Sequence, residues 1–366
     1  MKHTYFLTGY PGFLASSLVS QLIKDHHQDI EKIHLLVLPS LKEKAAKEIT
    51  YFTESNELHP DLFNIIPGDI TAPSMKIDTE MNSTLRNSVT HVFHLAAIYD
   101  LAVPKDIAFR VNVNGTKIVN DWVKTLNKLE RYIYFSTAYV PGTREGQIFE
   151  HELNEGQNFR NHYEHTKFEA ELLVEELKAG IPVTIIRPGI VRGHSKTGET
   201  MKFDGIYFML NLLDHLRYLP VIPYFSEGSA EGNFVPSDYV LKATSHLAFA
   251  DAGVGKTYHL TDPNPYTMRE LHTMLSQNYL AKTPRGTIPL SLAKSGLESA
   301  AVRKWLRVEK EAMDYFTIHS SYDTSQTIKD LAGSELECPD FKESIDSMIL
   351  FYRKYKHDMS KHIQFV

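Results

Sequence analysis

Cysteine is nearly absent from this chain: Cys338 is the only one in 366 residues, so no disulfide can form within it. That composition fits a reducing compartment, and we expect a cytoplasmic protein. Long apolar runs are missing too. The richest stretch, residues 206–225, is interrupted by polar and charged residues and by two prolines, whereas a membrane-spanning helix needs about 18 apolar residues. We therefore expect no membrane span and no secretory signal peptide.

Basic clusters, internal repeats and low-complexity segments are lacking as well. The net charge is −6 and the pI is near 6.3, which argues against a protein that binds nucleic acid. Apolar residues make up 42% of the chain and charged residues 23%, which are ordinary values for a globular protein. A chain of 366 residues can bury one large α/β domain, or a nucleotide-binding domain and a smaller lobe.

Residues 4–15 carry the first positive signal. An apolar β-type run ends at Thr8, a turn containing Gly9 and Gly12 follows, and apolar residues then recur at helical spacing. A strand, a glycine turn and a helix in this order open a dinucleotide-binding βαβ unit. Gly9 would give the turn its backbone freedom, and Gly12 would let a pyrophosphate approach the helix N-terminus.

The first half of the chain then alternates strands and helices. The predicted strands lie at residues 33–38, 62–66, 89–97, 132–137 and 183–188. The predicted helices between them lie at residues 41–53, 107–126 and 162–178. This alternation implies right-handed crossovers and an α/β fold with a doubly wound parallel sheet, the Rossmann architecture.

The pattern changes after Gly193, where we place a domain boundary. We predict an NAD(P)-binding Rossmann domain at residues 1–193, with return segments from about 230–260, and a smaller, mostly helical substrate-binding lobe at 194–366. In this lobe, residues 195–203 are predicted to form a mobile loop and residues 206–219 an aromatic-rich helix. The lobe is expected to cover the carboxyl ends of the strands, where ligands of open α/β sheets bind.

Tyr163 and Lys167 form the motif that points to chemistry. Their i, i+4 spacing places a phenol and an ammonium on one face of a helix. A neighbouring ammonium lowers a tyrosine pKa and prepares the phenol for acid–base catalysis at a carbonyl or alcohol. The isolated pair also occurs by chance on surface helices. Here Ser136 and Thr137 end a strand upstream and offer a hydroxyl, and residues 187–189 form a Pro-Gly corner downstream, which makes the combination specific.

These motifs together make the chain resemble an extended short-chain dehydrogenase/reductase over about its first 260 residues. Within that superfamily the chain is most similar to the branch of thioester reductases and fatty-acyl-CoA reductases. The segments that carry the resemblance are residues 8–14, 68–70, 94–97, 112–116, 136–140, 163–167, 187–190, 195–198 and 234–240.

The resemblance implies a catalytic set of Thr137, Tyr163 and Lys167. Thr137 would polarise the carbonyl oxygen, Tyr163 would protonate it, and Lys167 would hold the nicotinamide ribose and keep Tyr163 acidic. The other implied cofactor contacts are Gly9, Tyr10, Pro11, Gly12, Phe13, Leu14, Asp69, Ile70, Leu95, Ala96, Ala97, Asn112, Pro188, Gly189, Ile190 and Val191.

The choice between NADP and NAD depends on the end of the second strand. An NAD site needs an acidic side chain there to accept from the ribose 2′-hydroxyl. Glu31 precedes the predicted strand and therefore lies at its wrong end, and Leu38 stands where the branch usually carries an arginine for NADP. Ser40 and Lys42 would supply a hydroxyl and a cation for a 2′-phosphate. We predict NADP as the cofactor, with NAD possible.

Two tyrosines are candidates for substrate contact. Tyr99 follows the fourth predicted strand, and Tyr207 belongs to an aromatic stripe in the second lobe; for both, a packing role is an open alternative. His162 and His165 flank Tyr163, but no metal-ligand spacing surrounds them, so no metal is expected. Asn112 would bind backbone near the site or cap a turn.

The sequence leaves three functions open. The first is an NAD(P)H-dependent reductase of a carbonyl or acyl thioester on an apolar substrate, which would be carried on CoA or a carrier protein. The second is a nucleotide-sugar epimerase or dehydratase, or a 3β-hydroxysteroid-type dehydrogenase, although the second lobe shows few basic residues where a diphosphate would bind and many aromatic residues instead. The third is a catalytically silent dinucleotide sensor, which would not need Thr137, Tyr163 and Lys167. The expected oligomeric state is a monomer or homodimer.

Overall fold

Seven parallel strands form the central sheet in the structure, a computed structural model that describes residues 2–99 and 103–362. In chain order they are β1 (His3–Thr8), β2 (Ile30–Val37), β3 (Phe63–Pro67), β4 (His91–His94), β5 (Arg131–Phe135), β7 (Val183–Pro188) and β11 (Lys256–Leu260). Across the sheet the order is β11-β7-β5-β4-β1-β2-β3. The order reverses at β1, whose neighbours are β4 and β2, and this doubly wound topology confirms the predicted Rossmann fold.

The strands are near-continuous apolar runs because helices cover both faces of the sheet. Every residue of β5 and of β7 is buried. The covering helices are α1 (Phe13–His26), α2 (Lys42–Ser55), α3 (Thr79–Ser88), α4 (Lys105–Ala108), α5 (Gly115–Val123), α6 (His162–Glu175) and α8 (Ser237–Phe249). One face packs its apolar side chains against α1 and α8, and the other against α5 and α6.

The later part of the chain adds three two-stranded parallel sheets and more helices. The strand pairs are β6 (Gly146–Ile148) with β13 (Ser320–Tyr322), β8 (Ile190–Arg192) with β10 (Phe234–Pro236), and β9 (Tyr224–Phe225) with β12 (Thr287–Ile288). The helices are α7 (Tyr207–Leu216), α9 (Met268–Leu280), α10 (Leu290–Gly296), α11 (Ala300–Leu306), α12 (Ser325–Leu331) and α13 (Phe341–Tyr355).

These later elements build a separate apolar cluster around α7, α9 and α13. In contrast, α8, β11 and Leu331 of α12 pack into the apolar cluster of the central sheet. The chain therefore returns to the sheet after Gly193. The division into a Rossmann domain and a substrate-binding lobe stays a prediction.

The two largest differences from the predicted strand boundaries are three residues each, at the end of β4 and at the start of β2. β4 ends at His94 rather than at Ala97, because Ala96 N donates to Thr8 Oγ1 at 3.1 Å and Ile98 N donates to Asn112 Oδ1 at 2.8 Å. These two backbone N–H groups therefore bond to side chains and not to a neighbouring strand. β2 begins at Ile30, so Glu31 lies inside the strand, at an irregularity of the pairing between β1 and β2. Glu31 still lies at the amino end of that strand.

The segment 195–203, predicted to be a mobile loop, is held by several hydrogen bonds. Ser195 N and Oγ both donate to the carboxylate of Asp238 at 2.7 Å. Ser347 Oγ of α13 donates to Ser195 O at 2.7 Å, and Phe203 N donates to Lys361 O at 2.7 Å. Both ends of the loop are therefore joined to α8 or to the C-terminal segment, and its mobility stays a prediction. In the described part of the chain, no helix is both long enough and apolar enough to cross a bilayer.

Candidate active site

The glycine turn after β1 packs directly against the end of β4. Gly9 has φ +90°, and a Cβ there would lie 2.9 Å from Ala96 N. A Cβ on Gly12 would lie 2.7 Å from Gly9 O. Both positions therefore require glycine, the first for its positive φ and close approach and the second for its contact within the turn. The structure thus brings Gly9 together with the predicted segment 95–97.

The first turn of α1 is free to receive an anion. Gly12 is its N-cap residue, no side chain caps the helix, and no acidic residue lies in its first turn. By contrast, α6 is capped by the side chain of Asn161, which accepts from Glu164 N. An uncapped helix N-terminus without acidic residues offers backbone amides and a positive dipole to a phosphate. The N-terminus of α1 therefore fits the pyrophosphate of a dinucleotide, and Tyr10 to Leu14, which were predicted to contact the cofactor, lie there.

A chain of buried hydrogen bonds orders the ends of β1 and β4. Thr8 Oγ1 lies 2.7 Å from His94 Nδ1, and His94 Nε2 lies 3.1 Å from Thr116 Oγ1 on α5. Burial and the charge of Lys167 lower the pKa of His94 to about 3, so this imidazole is neutral. The motif around His94 therefore positions backbone and does not carry charge.

Asp69 and Ile70 follow β3 at the predicted place. Burial alone would raise the pKa of Asp69, but hydrogen bonds from Thr71 N at 2.9 Å and Thr71 Oγ1 at 2.8 Å hold it below its usual value. Asp69 is therefore a carboxylate at neutral pH. Ile70 packs against Gly115, where a Cβ would lie 2.8 Å from the Ile70 side chain.

The cation nearest to the glycine turn is one that the sequence did not single out. Lys44 Nζ donates to Pro11 O at 3.3 Å and lies 3.6 Å from Glu48 Oε1. Ser40 and Lys42, the predicted 2′-phosphate contacts, are both exposed. Lys44 was missed because only the path of α2 past the turn reveals its position.

Asn112 links the segment after β4 to α6. It accepts from Ile98 N at 2.8 Å, donates to Ile98 O at 3.3 Å, and donates to Thr166 Oγ1 at 3.0 Å. Its side chain is buried, and these contacts use both hydrogens of its amide nitrogen. The structure thus supports the backbone-binding alternative. The predicted cofactor contact of Asn112 stays a prediction.

Thr137 and Tyr163 meet at the carboxyl end of β5. Tyr163, on the first turn of α6, and Thr137 are both buried, and the Thr137 hydroxyl lies close enough to lower the pKa of the phenol. Burial raises the pKa of Tyr163 well above its usual value, and the Thr137 hydroxyl offsets only part of that rise. The phenol is therefore protonated at neutral pH and can donate a proton.

Lys167 does not bond to Tyr163 in this structure, contrary to the prediction. Its Nζ donates to Tyr134 OH at 2.9 Å and to Phe135 O at 2.5 Å, and it lies 4.4 Å from the centre of the Tyr134 ring. Burial lowers the pKa of Lys167 to about 7, and the carboxylate of Glu171 offsets part of that fall. The expected lowering of the Tyr163 pKa is thus absent, because the ammonium is directed to the end of β5.

Ser136 faces away from Thr137 and joins a buried ion pair. Its hydroxyl donates to Glu171 of α6, whose other oxygen accepts from Arg187 Nε at 2.8 Å and Nη2 at 2.6 Å. Arg187 also donates to the backbone of Glu150 and Glu152. A buried Arg–Glu pair with these added hydrogen bonds fixes α6 against β5 and β7. Of the two strand-end hydroxyls, only that of Thr137 faces Tyr163.

The Pro-Gly corner joins β7 to β8. Pro188 is the last residue of β7, and its carbonyl accepts from Ala138 N at 2.9 Å. Gly189 has no room for a side chain, since a Cβ would lie 2.6 Å from Asn233 Oδ1. Ile190 and Val191 begin β8. These four predicted cofactor contacts therefore lie just after the strand that neighbours β5.

The two tyrosines predicted to contact substrate lie in different surroundings. Tyr99 is 52% exposed, and its ring meets that of Tyr163 edge-on with centroids 5.0 Å apart. Tyr207 is buried in the cluster around α7, and its hydroxyl accepts from Gly193 N at 3.2 Å. That position favours the packing role for Tyr207. Its contact with substrate stays a prediction.

Glu164 is a buried acid beside Tyr163 that the sequence did not single out. Its Oε2 accepts from Arg160 N at 3.1 Å, whereas its Oε1 has no hydrogen-bond partner in the described residues. Burial raises its pKa to about 7, although Arg160 draws it down. A groove of about 610 Å³ lies at the N-terminus of the same helix, lined in part by Phe159, His162 and His165.

The sheet topology and the glycine turn are those of a dinucleotide-binding Rossmann fold of the extended short-chain dehydrogenase/reductase type. Within that class, the chain belongs to the family described as Male sterility protein, whose model matches residues 7–244, more than half of the chain. This confirms the resemblance inferred from the motifs.

Curated relatives agree with this family. The chain is 25% identical over 274 residues to the aldehyde reductase lnbA of Aspergillus flavus, covering 71% of this chain and 26% of that protein. It is 25% identical over 358 residues to the alcohol-forming fatty acyl-CoA reductase of Simmondsia chinensis, covering 76% of this chain and 70% of that protein. The chain spans only about a quarter of the length of the first two curated relatives it matches.

Solved structures give the same picture. The terminal R domain of the myxalamid PKS-NRPS biosynthetic pathway matches with a TM-score of 0.79 at 25% identity, covering 99% of this chain and 93% of that chain. Yeast methylglyoxal/isovaleraldehyde reductase Gre2, in complex with NADPH, matches with a TM-score of 0.67 at 17% identity, covering 97% of this chain and 100% of that chain. The second likeness shows the fold alone.

Proposed function

We propose that this chain is an NAD(P)H-dependent reductase that acts on the carbonyl or acyl thioester of an apolar substrate. The observation that carries the proposal is the contact between Tyr163 and Thr137 at the carboxyl end of β5. It supplies a protonated phenol beside a second hydroxyl, which is the pair needed to polarise and protonate a carbonyl oxygen.

The roles of the three predicted catalytic residues follow from their protonation. Thr137 donates a hydrogen bond to the carbonyl oxygen, and Tyr163 transfers its phenolic proton to that oxygen as negative charge develops there. Because burial raises the pKa of Tyr163, its proton is present at neutral pH for the reductive direction. Lys167, whose Nζ already lies 2.9 Å from Tyr134 OH, is the cation that binds ribose hydroxyls.

The residues that would hold the cofactor are those of the uncapped turn and the neighbouring strand ends. Residues 9–14 would bind the pyrophosphate, Asp69 and Ile70 the adenine, Leu95 to Ala97 the adenosine side, and Pro188 to Val191 the nicotinamide. The bound nicotinamide supplies the hydride that the carbonyl carbon receives. NADP is the proposed cofactor, with NAD as the alternative.

The proposed substrate class follows from the relatives and from the surroundings of Tyr163. Three relatives are named fatty acyl-CoA reductases, and the structural neighbour at 25% identity is the terminal R domain of a PKS-NRPS biosynthetic pathway. At the site itself, the half-exposed Tyr99 lies edge-on against Tyr163 and offers an apolar surface. We propose an apolar acyl thioester carried on CoA or on a carrier protein. Likeness to sugar-nucleotide epimerases, at 18% identity, concerns the fold alone.

We also propose the lobe division at Gly193. The separate apolar cluster around α7, α9 and α13 supports a substrate-binding lobe. The return of α8 and β11 to the sheet supports the predicted segments from about 230–260.

Replacing Tyr163 by phenylalanine tests the proposal. Tyr163→Phe removes the proton donor and keeps the ring, so turnover of a long-chain acyl-CoA with NADPH should fall about 10²–10⁴-fold, while the Kd for NADPH changes little. Tyr218→Phe is the matched control, because Tyr218 is 83% exposed. Full activity of Tyr163→Phe, or equal loss in both variants, contradicts the mechanism.

A further inference from the structure

Three side chains that the proposed reduction does not use lie together at the amino-terminal edge of the sheet. His3 opens β1, His91 opens β4, and Glu130 directly precedes β5. These are adjacent strands, with β4 between the other two. One ligand atom from each side chain lies within 4.8 Å of the other two. Among residues 2–99 and 103–362, this is the only such group of His, Cys, Asp and Glu.

The His3–Glu130 pair already has the separation of two metal ligands. His3 Nδ1 lies 3.2 Å from Glu130 Oε2. In a tetrahedral zinc site with bonds of about 2.0–2.2 Å, neighbouring ligand atoms stand roughly 3.3 Å apart. His3 Nδ1 is nevertheless buried and makes no hydrogen bond within the described residues. The short distance is therefore not explained by a hydrogen bond.

His91 is held in the orientation of a ligand. Its Nδ1 lies 2.9 Å from Thr90 Oγ1, and the same hydroxyl donates to Thr4 O at 3.1 Å. With its proton used on Thr4 O, Thr90 Oγ1 accepts Nδ1–H of His91, which leaves the lone pair on Nε2. Metal-binding histidines usually donate a hydrogen bond from their other ring nitrogen to such an oxygen. The ring of Phe249 stacks on His91 with centroids 4.5 Å apart and fixes its plane.

The surrounding charges are mixed. Arg131 carries a positive charge that acts on His91, but its Nη1 donates to Thr184 Oγ1 and Leu247 O and its Nη2 to Ala250 O, at 3.0–3.1 Å. Both of these nitrogens are thus directed at β7 and the end of α8.

The Tyr5 hydroxyl lies next to this group of ligands. It is buried beside Glu130 and has no hydrogen-bond partner in the part of the chain described. An unpartnered polar group at this place is a second sign that a ligand belongs there.

We propose that His3, His91 and Glu130 bind one Zn²⁺ ion, with water as the fourth ligand. Two imidazoles and one carboxylate suit zinc, whereas Mg²⁺ requires oxygen ligands. The ion joins the amino ends of β1, β4 and β5, and the strands separate it by roughly 10 Å or more from the glycine turn. It is a structural site, distinct from the proposed reduction.

Calorimetric titration of the EDTA-stripped full chain with ZnCl₂ tests this site. We expect one Zn²⁺ per chain, a higher Tm with Zn²⁺ because binding stabilises the folded state, and no effect of Mg²⁺. Glu130→Gln and His3→Ala should each weaken Zn²⁺ binding at least tenfold. The matched control is His59→Ala, since His59 lies 3.5 Å from Asp61 and both are exposed; it should bind Zn²⁺ like the wild type.

Each other outcome overturns the site. Less than one Zn²⁺ per wild-type chain at 100 µM free metal, on the order of a weak surface site, excludes it. If Glu130→Gln and His3→Ala both bind Zn²⁺ as tightly as the wild type, the ion binds elsewhere. If His59→Ala loses as much Zn²⁺ affinity as these two variants, the binding belongs to other histidines. Two variants are used because either one serves if the other does not fold, and Glu130 is itself partly exposed.

Discussion

Asn112 Nδ2 donates to Thr166 Oγ1 at 3.0 Å and thereby joins the end of β4 to the helix that carries Tyr163 and Lys167. The other end of the same amide accepts from Ile98 N. Thr166 in turn donates to His162 O at 2.8 Å, one turn earlier in α6. One side chain thus sets the distance between the two edges of the site.

Removing this amide should destabilise the fold and misplace α6. Asn112→Ala leaves the part-buried backbone N–H and C=O of Ile98 without their side-chain partner, which costs about 1–3 kcal/mol of unfolding free energy, and it should lower kcat as well. Asn114→Ala is the control, because Asn114 lies two residues further along the chain and is exposed. Urea unfolding of both variants measures the difference. An Asn112→Ala protein as stable as the control would show that the contact carries no stability.

Local patterns predicted the sheet well and the site only in part. β7 has the predicted bounds, residues 183–188, because a near-continuous apolar run marks it. The end of β4 was placed three residues too late, since its last residues bond to Thr8 and Asn112, which are distant in sequence. The partner of Lys167 was missed for the same reason: Tyr134 comes from another strand. Spacing along one helix shows which residues share a face, but not which neighbouring element that face meets.

Cofactor choice should depend on lysines of α2. Because Lys42 is a predicted contact of the 2′-phosphate, Lys42→Ala should erase most of a modest NADPH preference and leave NADH use unchanged. In the structure, Lys44 is the residue that reaches Pro11 O, so Lys44→Ala should weaken both cofactors through the pyrophosphate. Measuring kcat/KM with NADPH and NADH at two ionic strengths separates the two effects, because salt screens exposed charges. A strong NADH preference in the wild type would contradict both expectations.

Cofactor affinity should fall as the pH rises through 7. Burial lowers the pKa of Lys167 to about 7, so the free enzyme loses this cation above that pH, and the Kd for NADH should rise up to about tenfold per pH unit. Lys167→Met should bind weakly at every pH between 6 and 9. Fluorescence titration with NADH avoids the 2′-phosphate as a second titrating group. A wild-type Kd that is constant over this range would show that Lys167 stays charged or does not touch the cofactor.

Glu164 should make the protein less stable as the pH rises from 4.5 to 7. Burial raises its pKa from 4.5 to about 7 in the folded state. The folded state therefore binds the proton more tightly, and the stabilisation is complete below pH 4.5 and lost as the pH passes 7, with a slope of up to about 1.4 kcal/mol per pH unit. The difference in unfolding free energy between wild type and Glu164→Gln should shrink accordingly with rising pH. Glu169→Gln changes a half-exposed neighbour on α6, and its difference in unfolding free energy from the wild type should not change with pH. Identical pH profiles of stability for the wild type and both variants would refute the assignment.

The parallel pairing of β11 with β7 has a consequence for synthesis of the chain. β7 ends at Pro188, but its outer neighbour begins only at Lys256. At roughly 5–20 residues per second, a ribosome needs several seconds to make the intervening segment. Until then, β7 leaves the tunnel with one row of backbone groups unpaired, and such an edge pairs readily with other chains. The nascent protein therefore needs protection during this interval, and a pause introduced by codon choice before residue 256 should increase aggregation more than the same pause placed after β11 has left the tunnel.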